Sequence, residues 1–242
     1  MEFSVIIPTK NESAYLPILF LSISRQTLKP KEVIVADAGS ADKTPQIALN
    51  FGARVLPGGL PSIGRNIGAC NASTDLIVFL DADVDLQDKD FFKRAFADFC
   101  ARHLDIATCD IEPIGGTLWD KFSHAFYNRY VRLWGSRFAH APGFCIFVKK
   151  DLHKKIGGFD ESIVFCEDHE YALRASKKGV FGFINGVSVP VSVRRMNKDG
   201  RLEIAIKYIL AELYLFFVGP IRGDKFSYNF NYSTVDKQKE KD

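Results

Sequence analysis

Residues 76–86, LIVFLDADVDL, join an apolar run to three carboxylates that fall within five residues. The run 76–80 is apolar at every position, which predicts a strand buried on both faces. Asp81, Asp83 and Asp85 would repel one another unless a positive charge lies among them, so a cation is the first candidate. The stretch therefore predicts a buried strand that ends at a polar site.

Similar strands come earlier in the chain. FSVII (3–7), EVIVA (32–36) and ARVL (53–56) predict three more strands. Helix-like segments separate the strands, and each opens on a Ser or Asp of the kind that caps a helix N-terminus: 13–26, 42–51 and 62–72. Strands that alternate with helices predict a Rossmann-like α/β fold, a mainly parallel sheet flanked by helices.

The alternation loosens from residue 105 onward. Two further strands are predicted at 106–115 and 144–150, and two helices at 119–134 and 168–179. Residues 183–195 predict two short extended pieces, and the charged tail 235–242 is expected to fray. No linker separates independent units, so we expect a single domain.

Composition limits the class of protein. With 242 residues, 47% of them hydrophobic, the chain can bury a substantial core, and its net charge of +3 gives no reason to expect a nucleic-acid partner. The five cysteines lack metal-ligand spacing and are expected to be reduced and to act as small apolar residues. The chain begins without a charged leader or an apolar signal segment, so we expect a cytoplasmic protein.

Residues 204–219, IAIKYILAELYLFFVG, are strongly apolar. Lys207 and Glu212 interrupt the segment, and it is short for a transmembrane span of about 20 residues. We expect a helix packed on the domain, with the alternative of a helix that lies on the inner face of a membrane.

Polar residues follow three of the predicted strands, where loops and helix N-termini meet at one rim of a parallel sheet. They are Pro8, Thr9, Lys10, Asn11 and Glu12 after the first strand, 37–42 after the second, and 81–83 after the fourth. For Ser40 and Asp42, a simple helix-capping role is an equal alternative.

Asp81 and Asp83 point more clearly to a ligand. Alternate residues of an extended segment project to the same side, so these two carboxylates would lie together and suit Mg²⁺ or Mn²⁺ shared with a substrate's phosphates. The segment lacks the Gly and Glu of a calcium loop, and the chain lacks a zinc-protease helix, a P-loop and a dinucleotide fingerprint after a strand.

Five motifs in the same order resemble the family 2 glycosyltransferases, over residues 4 to about 195. They are SVIIPTKNE (4–12), VIVADAGSADKT (33–44), IGRNIGACNASTDLIVFLDADV (63–84), GGFDE (157–161) and EDHEYALRASKKG (167–179). The resemblance implies the GT-A fold at 1–203, with a nucleotide-sugar-binding half at 1–104 and an acceptor half at 105–203. The motifs do not reach 204–242, where the apolar helix and charged tail are predicted from the sequence pattern alone.

The resemblance also implies residue roles. Thr9, Glu12 and Asp37 would surround the nucleotide, with Asp37 near the base, and Arg65 would lie near the donor. Asp81 would approach the ribose or the metal, and Asp83 would hold the metal on the diphosphate in a D-x-D motif with Ala82. Asp168 would be the general base of an inverting transfer; on the residues alone, an acid that favours the start of a helix is the preferred explanation. Pro8, Asn11 and Ser40 complete the expected donor site.

Other features leave alternatives open. Arg194 and Arg195 could clamp a diphosphate or form a solvated surface pair. Aromatic residues on 119–134 could line an acceptor cleft, although ordinary core packing is preferred. Ala36 replaces a second acid that many family members have before the position of Asp37.

The predicted function is transfer of a single sugar from a nucleoside-diphosphate-sugar, a UDP- or GDP-sugar, to a hydroxyl of a glycan or to a lipid phosphate. Processive synthesis is disfavoured because Q-x-x-R-W is absent. Two alternatives are a sugar nucleotidyltransferase and a nucleotide-sugar-binding module without catalysis.

Overall fold

The structure is a computed structural model that describes residues 1–222, apart from the side chains of Arg195, Asp199, Glu212 and Phe216. The predicted frayed tail at 235–242 lies outside these described residues. The strands are β1 (Ser4–Thr9), β2 (Glu32–Asp37), β3 (Arg54–Pro57), β4 (Leu76–Leu80), β5 (Ile106–Ile114), β6 (Cys145–Lys149), β7 (Ile163–Phe165), β8 (Phe181–Ser192) and β9 (Ile221–Arg222). The helices are α1 (Leu16–Ser24), α2 (Thr44–Asn50), α3 (Pro61–Asn71), α4 (Phe91–Ala101), α5 (Leu118–Trp134), α6 (Lys150–Lys155), α7 (Glu167–Ser176), α8 (Arg194–Asp199) and α9 (Arg201–Phe217).

Seven of these strands form one sheet in the order β3-β2-β1-β4-β6-β5-β8. Strands β1 to β4 are parallel to one another, β5 is parallel to β8, and β6 runs antiparallel to both β4 and β5. Six of the seven strands of this sheet therefore point the same way, with β6 as the exception, and the predicted mainly parallel α/β sheet is confirmed. Strands β7 and β9 pair separately.

Apolar side chains fill both faces of this sheet. Along β1, Val5 and Ile7 belong to one core cluster together with residues of α1 and α4, whereas Ile6 belongs to a second cluster with residues of α3 and α7. Successive side chains of a strand point to opposite faces, so a wholly apolar strand needs helices on both sides. The uninterrupted apolar runs in the sequence are explained by this two-sided burial.

The predicted helix caps are wrong for α1 and α3, whereas Asp42 accepts from the Thr44 backbone N–H at the start of α2, as expected. The N-cap residues of α1, α2 and α3 are Tyr15, Lys43 and Leu60, and none of them makes a side-chain capping hydrogen bond. Each helix instead carries a proline in its first turn, where the missing N–H costs nothing. These prolines are Pro17, Pro45 and Pro61.

Strand β8 and helix α4 also differ from the prediction. Residues 183–195 do not form two short pieces, because β8 is one strand of 12 residues with a register shift opposite Thr108 and Asp110 of β5. Gly186, with φ of +74°, lies in this strand, which explains why the pattern suggested a break. Helix α4 was not predicted from the sequence pattern.

The aromatic residues of α5 do not show the expected core packing, whereas α9 packs on the domain as expected, but only along one side. On α5, Trp119, Phe122 and Phe126 are all exposed, so they are not core residues. On α9, Ala211 is fully buried and contacts Phe165 and Ile221, while most of the large apolar side chains face solvent. No helix in the described part of the chain combines the length and the hydropathy that crossing a bilayer requires.

All five cysteines are free thiols, as predicted. Cys109, Cys145 and Cys166 are buried, and Cys70 and Cys100 are exposed. Burial and the neighbouring Cys109 raise the pKa of the Cys145 thiol, so it remains protonated and unreactive at neutral pH.

Candidate active site

The polar residues predicted from the sequence meet at the carboxyl ends of β1, β2 and β4. Thr9 is in register with Asp37 on the neighbouring strand, and Asp81 directly follows β4. The start of β6 reaches the same rim, because Leu80 is opposite Cys145 in the antiparallel β4–β6 pair. Loops from both halves of the sheet therefore surround one site.

Asp37 is the centre of a hydrogen-bond network at this rim. Its carboxylate accepts from Thr9 Oγ1 at 3.0 Å, from Ser40 Oγ at 2.6 Å and from the Ser40 backbone N–H at 2.8 Å. Asn11 connects the same two loops, since its N–H donates to Ser40 Oγ and its Oδ1 accepts from Ala41. The loops after β1 and β2 thus form one connected wall. Asp42 contributes locally, accepting from Ser13 and Thr44 at the start of α2.

Arg65, on α3, is a buried cation beneath the site. Its Nη2 donates to Asp81 at 2.9 Å and its Nη1 donates to Glu167 at 2.7 Å, while its guanidinium carbon lies 5.4 Å from the centre of the Phe159 ring. Burial alone would lower its pKa, but Asp81, Glu167 and Asp168 together raise it. Arg65 therefore stays charged and connects the acid after β4 to the start of α7.

Arg194 is a second cation, at the start of α8. Its two terminal nitrogens donate to the two carboxylate oxygens of Glu12 at 2.8 Å each, and its Nε lies 3.1 Å from Asp83 Oδ2. The guanidinium lies 4.3 Å from the centre of the Tyr15 ring. Burial again opposes the charge, and the contacts with Glu12 and Asp83 raise the pKa of Arg194. The contacts of Arg194 thus connect the C-terminal end of β8 to the loops that follow β1 and β4.

Asp168 lies in the first turn of α7. Its Oδ2 accepts from the Gly143 backbone N–H at 2.6 Å, and its Oδ1 accepts from the His169 backbone N–H at 2.9 Å. Gly143 is closely packed here, because a Cβ at that position would lie 2.6 Å from Arg65 Nη2 and 3.1 Å from Asp168 Oδ2. The carboxylate of Asp168 is therefore oriented by backbone donors beside the Asp81–Arg65–Glu167 chain.

The acids after β4 do not lie on one extended segment as expected. Residues 81–84 form a turn in which the Val84 N–H approaches the Asp81 carbonyl at 3.4 Å, so Asp81 contacts Arg65 while Asp83 contacts Arg194. Asp85 lies further on, where its N–H donates to the Pro190 carbonyl of β8. The two cations that the crowded acids require are guanidinium groups of the protein itself.

The donor set nevertheless suits a hard divalent cation of the kind that completes its coordination with substrate oxygens. Within residues 1–222, no three His, Cys, Asp or Glu side chains are grouped so that they alone could hold a metal ion. Mg²⁺ and Mn²⁺ commonly bind through one or two carboxylates plus phosphates and water. Asp81 and Asp83 can supply such carboxylates.

A comparison with known families assigns the chain to one of them. The family model described as Glycosyl transferase family 2 matches residues 4–157, more than half of the sequence. The chain belongs to this family. The resemblance drawn from the five motifs is thereby confirmed.

Several known proteins are similar to this chain in sequence or in fold. The minor teichoic acid biosynthesis protein GgaA of Bacillus subtilis is 31% identical in an alignment of 194 residues that covers 69% of this chain and 41% of GgaA. Across the first curated relatives, this chain spans only between 25% and 58% of their length.

Solved structures support the GT-A fold. Staphylococcus aureus TarS residues 1–349 in complex with UDP-GlcNAc aligns with a TM-score of 0.63 and 22% identity, covering 90% of this chain and 73% of that one. The mannosyltransferase PcManGT from Pyrobaculum calidifontis, in complex with GDP-Man and Mn²⁺, aligns with a TM-score of 0.64 and 18% identity, covering 90% and 70%. At these identities the similarity establishes the fold, and the predicted GT-A architecture is confirmed.

Most of the site residues predicted for this family 2 chain meet at the rim. Ala82 differs, because its methyl group is buried in the core and only its backbone is available to a ligand. The Arg195 side chain lies outside the described part of the structure. The residues that the network brings together are Thr9, Asn11, Glu12, Asp37, Ser40, Arg65, Asp81, Asp83, Asp168 and Arg194, with Pro8 in β1 beside them.

Several participants were not predicted. Gly143, Tyr15 and Phe159 contact the charged groups of the site, and His140 packs edge-on against His169 with ring centres 4.7 Å apart. The glycine in APGF, immediately before a strand, was a usable signal of close backbone approach. The aromatic contacts carry no such signal, since they depend on how distant loops fold together.

Proposed function

We propose that this protein is an inverting, metal-dependent glycosyltransferase that moves one sugar from a nucleoside-diphosphate-sugar to a hydroxyl or lipid-phosphate acceptor. The observation that supports this most strongly is the convergence of Glu12, Asp37, Asp81, Asp83 and Asp168 on one rim, around two guanidinium groups. A structural ion-pair network would not need a separate, backbone-oriented carboxylate at Asp168.

The nucleotide would bind along the wall formed by the loops after β1 and β2. Asp37 is available as an acceptor for donor groups of the base, and Thr9, Asn11 and Ser40 hold it in place. UDP- and GDP-sugars are the expected donors. The complexes of the TarS and PcManGT proteins contain UDP-GlcNAc and GDP-Man, which is consistent with this class.

The diphosphate would lie toward Asp81 and Asp83. These carboxylates would hold Mg²⁺ or Mn²⁺, and such a cation would supply positive charge for the diphosphate that leaves the anomeric carbon. Arg194 carries a fixed positive charge beside Asp83 and can add to that stabilisation once Glu12 releases part of its guanidinium.

Asp168 would accept the proton of the acceptor hydroxyl as its oxygen attacks the anomeric carbon. One bond forms on the face opposite the departing diphosphate, so the anomeric configuration inverts, and the proton goes to the carboxylate. The hydrogen bonds from Gly143 and His169 keep this carboxylate pointed in one direction. A phosphate acceptor needs no base, because its oxygen is already anionic.

The test begins with donor binding. We expect one of UDP or GDP, with Mn²⁺, to raise the melting temperature by roughly 5–10 °C at about 100 times its dissociation constant. A chelator or Asp83→Asn should abolish the shift. If no nucleoside diphosphate shifts the melting temperature with any divalent metal, the proposal fails.

Catalysis is tested separately with Asp168→Asn. This variant should retain the nucleotide-dependent shift but lose transfer to a hydroxyl acceptor by about 10²-fold or more. A non-catalytic binding module would show the nucleotide shift and no transfer in either protein. The predicted halves at 1–104 and 105–203, and the cytoplasmic location, remain predictions.

A further inference from the structure

Helix α5 presents a stripe of large apolar side chains to solvent. Trp119, Phe122, Phe126 and Leu133 recur at spacings of three, four and seven residues, which places them on one side of the helix. They are between 60% and 82% exposed, whereas His124 and Val131 on the other side are buried. We call these four residues the α5 face.

Helix α9 presents a similar stripe. Leu202, Ile206, Ile209 and Leu213 lie on one side and are between 49% and 74% exposed, while Ala211 on the opposite side is fully buried. We call these four residues the α9 face. A monomeric protein seldom exposes apolar stripes of this length on two helices, and such surfaces usually contact a partner.

A buried ion pair joins the two helices at their first turns. Arg201 donates to both carboxylate oxygens of Asp120, at 2.7 Å and 2.8 Å, and Asp120 is 1% exposed. Asp120 is the only acid on α5, so this pair also removes the one negative charge of that helix. The two faces therefore begin at a common corner of the molecule.

The charge around the two faces selects the partner. Residues 117–140 and 194–222 together contain ten Lys and Arg against four Asp and Glu, a net charge of +6. Arg132, Arg194 and Arg222 are ion-paired with acids outside these two segments, which leaves a net charge of about +3 on them. A second copy would bring two basic surfaces together, while an anionic lipid surface offers both apolar depth and opposite charge.

We propose that the α5 and α9 faces dock together on an anionic lipid bilayer, with both helices lying in the plane of the interface. Trp, Phe and Leu would enter the boundary between headgroups and acyl chains, and basic side chains such as Lys121 and Arg129 would contact the anionic headgroups. Both Lys121 and Arg129 are exposed on α5.

Docking in this way would bring the candidate active site close to the membrane. Helix α5 follows the carboxyl end of β5, and α8 and α9 follow that of β8, at the rim where Arg194 contacts Glu12 and Asp83. An acceptor carried on a lipid would then lie within reach of Asp168. This last step depends on the proposed function, but the docking itself does not.

The chain contains a convenient probe, because both of its tryptophans, Trp119 and Trp134, lie on α5. The full chain would be mixed with vesicles of phosphatidylcholine alone, or of phosphatidylcholine with one third phosphatidylglycerol. We expect flotation with the anionic vesicles, a blue shift of tryptophan emission, and quenching by brominated acyl chains. Binding should weaken as salt is raised.

Variants separate the apolar contribution to vesicle binding from the electrostatic contribution. Phe126→Glu and Leu213→Glu should each lower partitioning into anionic vesicles by at least ten-fold, whereas Leu49→Glu should not. Leu49 is a matched control, since it is 55% exposed on α2, which contacts β3 at the opposite edge of the sheet from β8. Lys121→Gln and Arg129→Gln should each weaken anionic binding about five-fold, from ~1 kcal/mol per basic residue near such a surface.

The outcomes are distinct. Failure of the wild-type chain to float with anionic vesicles, or equal loss in Phe126→Glu and Leu49→Glu, would overturn the proposal. So would a dimer in sedimentation equilibrium that Phe126→Glu dissociates, because the occupant would then be a second copy. Melting temperatures of each variant check that it folds. Nucleotide binding with Mn²⁺, measured on the same samples without vesicles, reports on the proposed function independently of docking.

Discussion

The buried guanidinium group of Arg65 and the mostly buried one of Arg194 organise the candidate site at the scale of single residues. Arg65 and Arg194 each neutralise two acids, so the carboxylates can stand close together at the rim. A buried ion pair gives little net stability, but removal of one partner leaves the other charge uncompensated. The arginines therefore fix the arrangement of the acids more than they add to the stability of the fold.

Replacement of Arg65 tests this directly. Arg65→Met should destabilise the protein by about 3–5 kcal/mol, because Asp81 and Glu167 lose their buried partner. Arg94→Met is the matched control: Arg94 pairs with Asp88 on the surface and its side chain is 53% exposed, so a loss below about 1 kcal/mol is expected. Urea unfolding of both variants gives the comparison. Similar losses in the two would contradict this view of Arg65.

At this scale the sequence predicted the acids better than their partners. Asp81 and Asp83 were recognised because a buried strand ended in alternating carboxylates, which is a local pattern. The contact of Arg194 with Glu12 joins residues 182 positions apart, and no local pattern reports it. The orientation of Asp168 by Gly143 depends in the same way on two separate loops.

At the scale of elements, α3 carries Arg65 to its position by lying very close to β1. Gly64 and Gly68 face the sheet, and a Cβ at Gly64 would lie 3.3 Å from Pro8, while one at Gly68 would overlap the side chain of Ile6. Large side chains at these positions would lift the helix from the sheet.

We therefore expect Gly68→Ala to destabilise the protein by about 1–3 kcal/mol through overpacking against Ile6. Cys70→Ala, an exposed position on the same helix, should change stability by less than about 0.5 kcal/mol. Denaturant midpoints measure both. If Gly68→Ala leaves the stability unchanged, α3 can shift relative to the sheet. In that case we expect the substitution to lower the affinity for nucleotide.

The junction of α5 and α9 should depend on pH. Hydrogen bonds from Arg201 and Thr117 hold the pKa of the Asp120 carboxyl well below its usual range, although burial opposes this. A lowered pKa means that Asp120 contributes stability above the pKa of its unfolded form and loses it as pH falls below about 4. The melting temperature of Asp120→Asn should thus lie below that of the wild type at neutral pH and approach it in acid. A difference that stays constant with pH would contradict this assignment.

Secondary structure was predicted well where burial was two-sided and less well elsewhere. Strands β1, β2 and β4 have continuous apolar runs and were located within two residues. Strand β8 was divided by Asn185 and Gly186, because a bulge resembles a turn when its partner strand is unknown. The pattern of α5 was interpreted as core packing, and that of α9 as a helix packed on the domain with a membrane-surface helix as the alternative, since periodicity alone does not distinguish these apolar contacts.

At the scale of the whole molecule, one continuous sheet joins the two predicted halves. The antiparallel β4–β6 pair spans five residue pairs from Leu76–Lys149 to Leu80–Cys145, and β6 then pairs with β5 in the second half. Core residues of both halves also share the same two clusters. The halves are therefore expected to fold and unfold as one cooperative unit, even though a chain of this length often unfolds through intermediates.

Nucleotide binding offers a test of this cooperativity that uses the position of the two tryptophans. Both lie on α5 in the second half, whereas Asp37 and the nucleotide wall lie in the first. If the sheet is one unit, UDP or GDP with Mn²⁺ should shift the tryptophan-detected and the circular-dichroism melting transitions equally, since a ligand stabilises every part of the unit that binds it. Thermal melts followed by both probes on the same sample give the answer. The contradicting result would be two separate melting transitions, in which nucleotide shifts only the transition that lacks a tryptophan signal. That result would mean that the halves are independent domains.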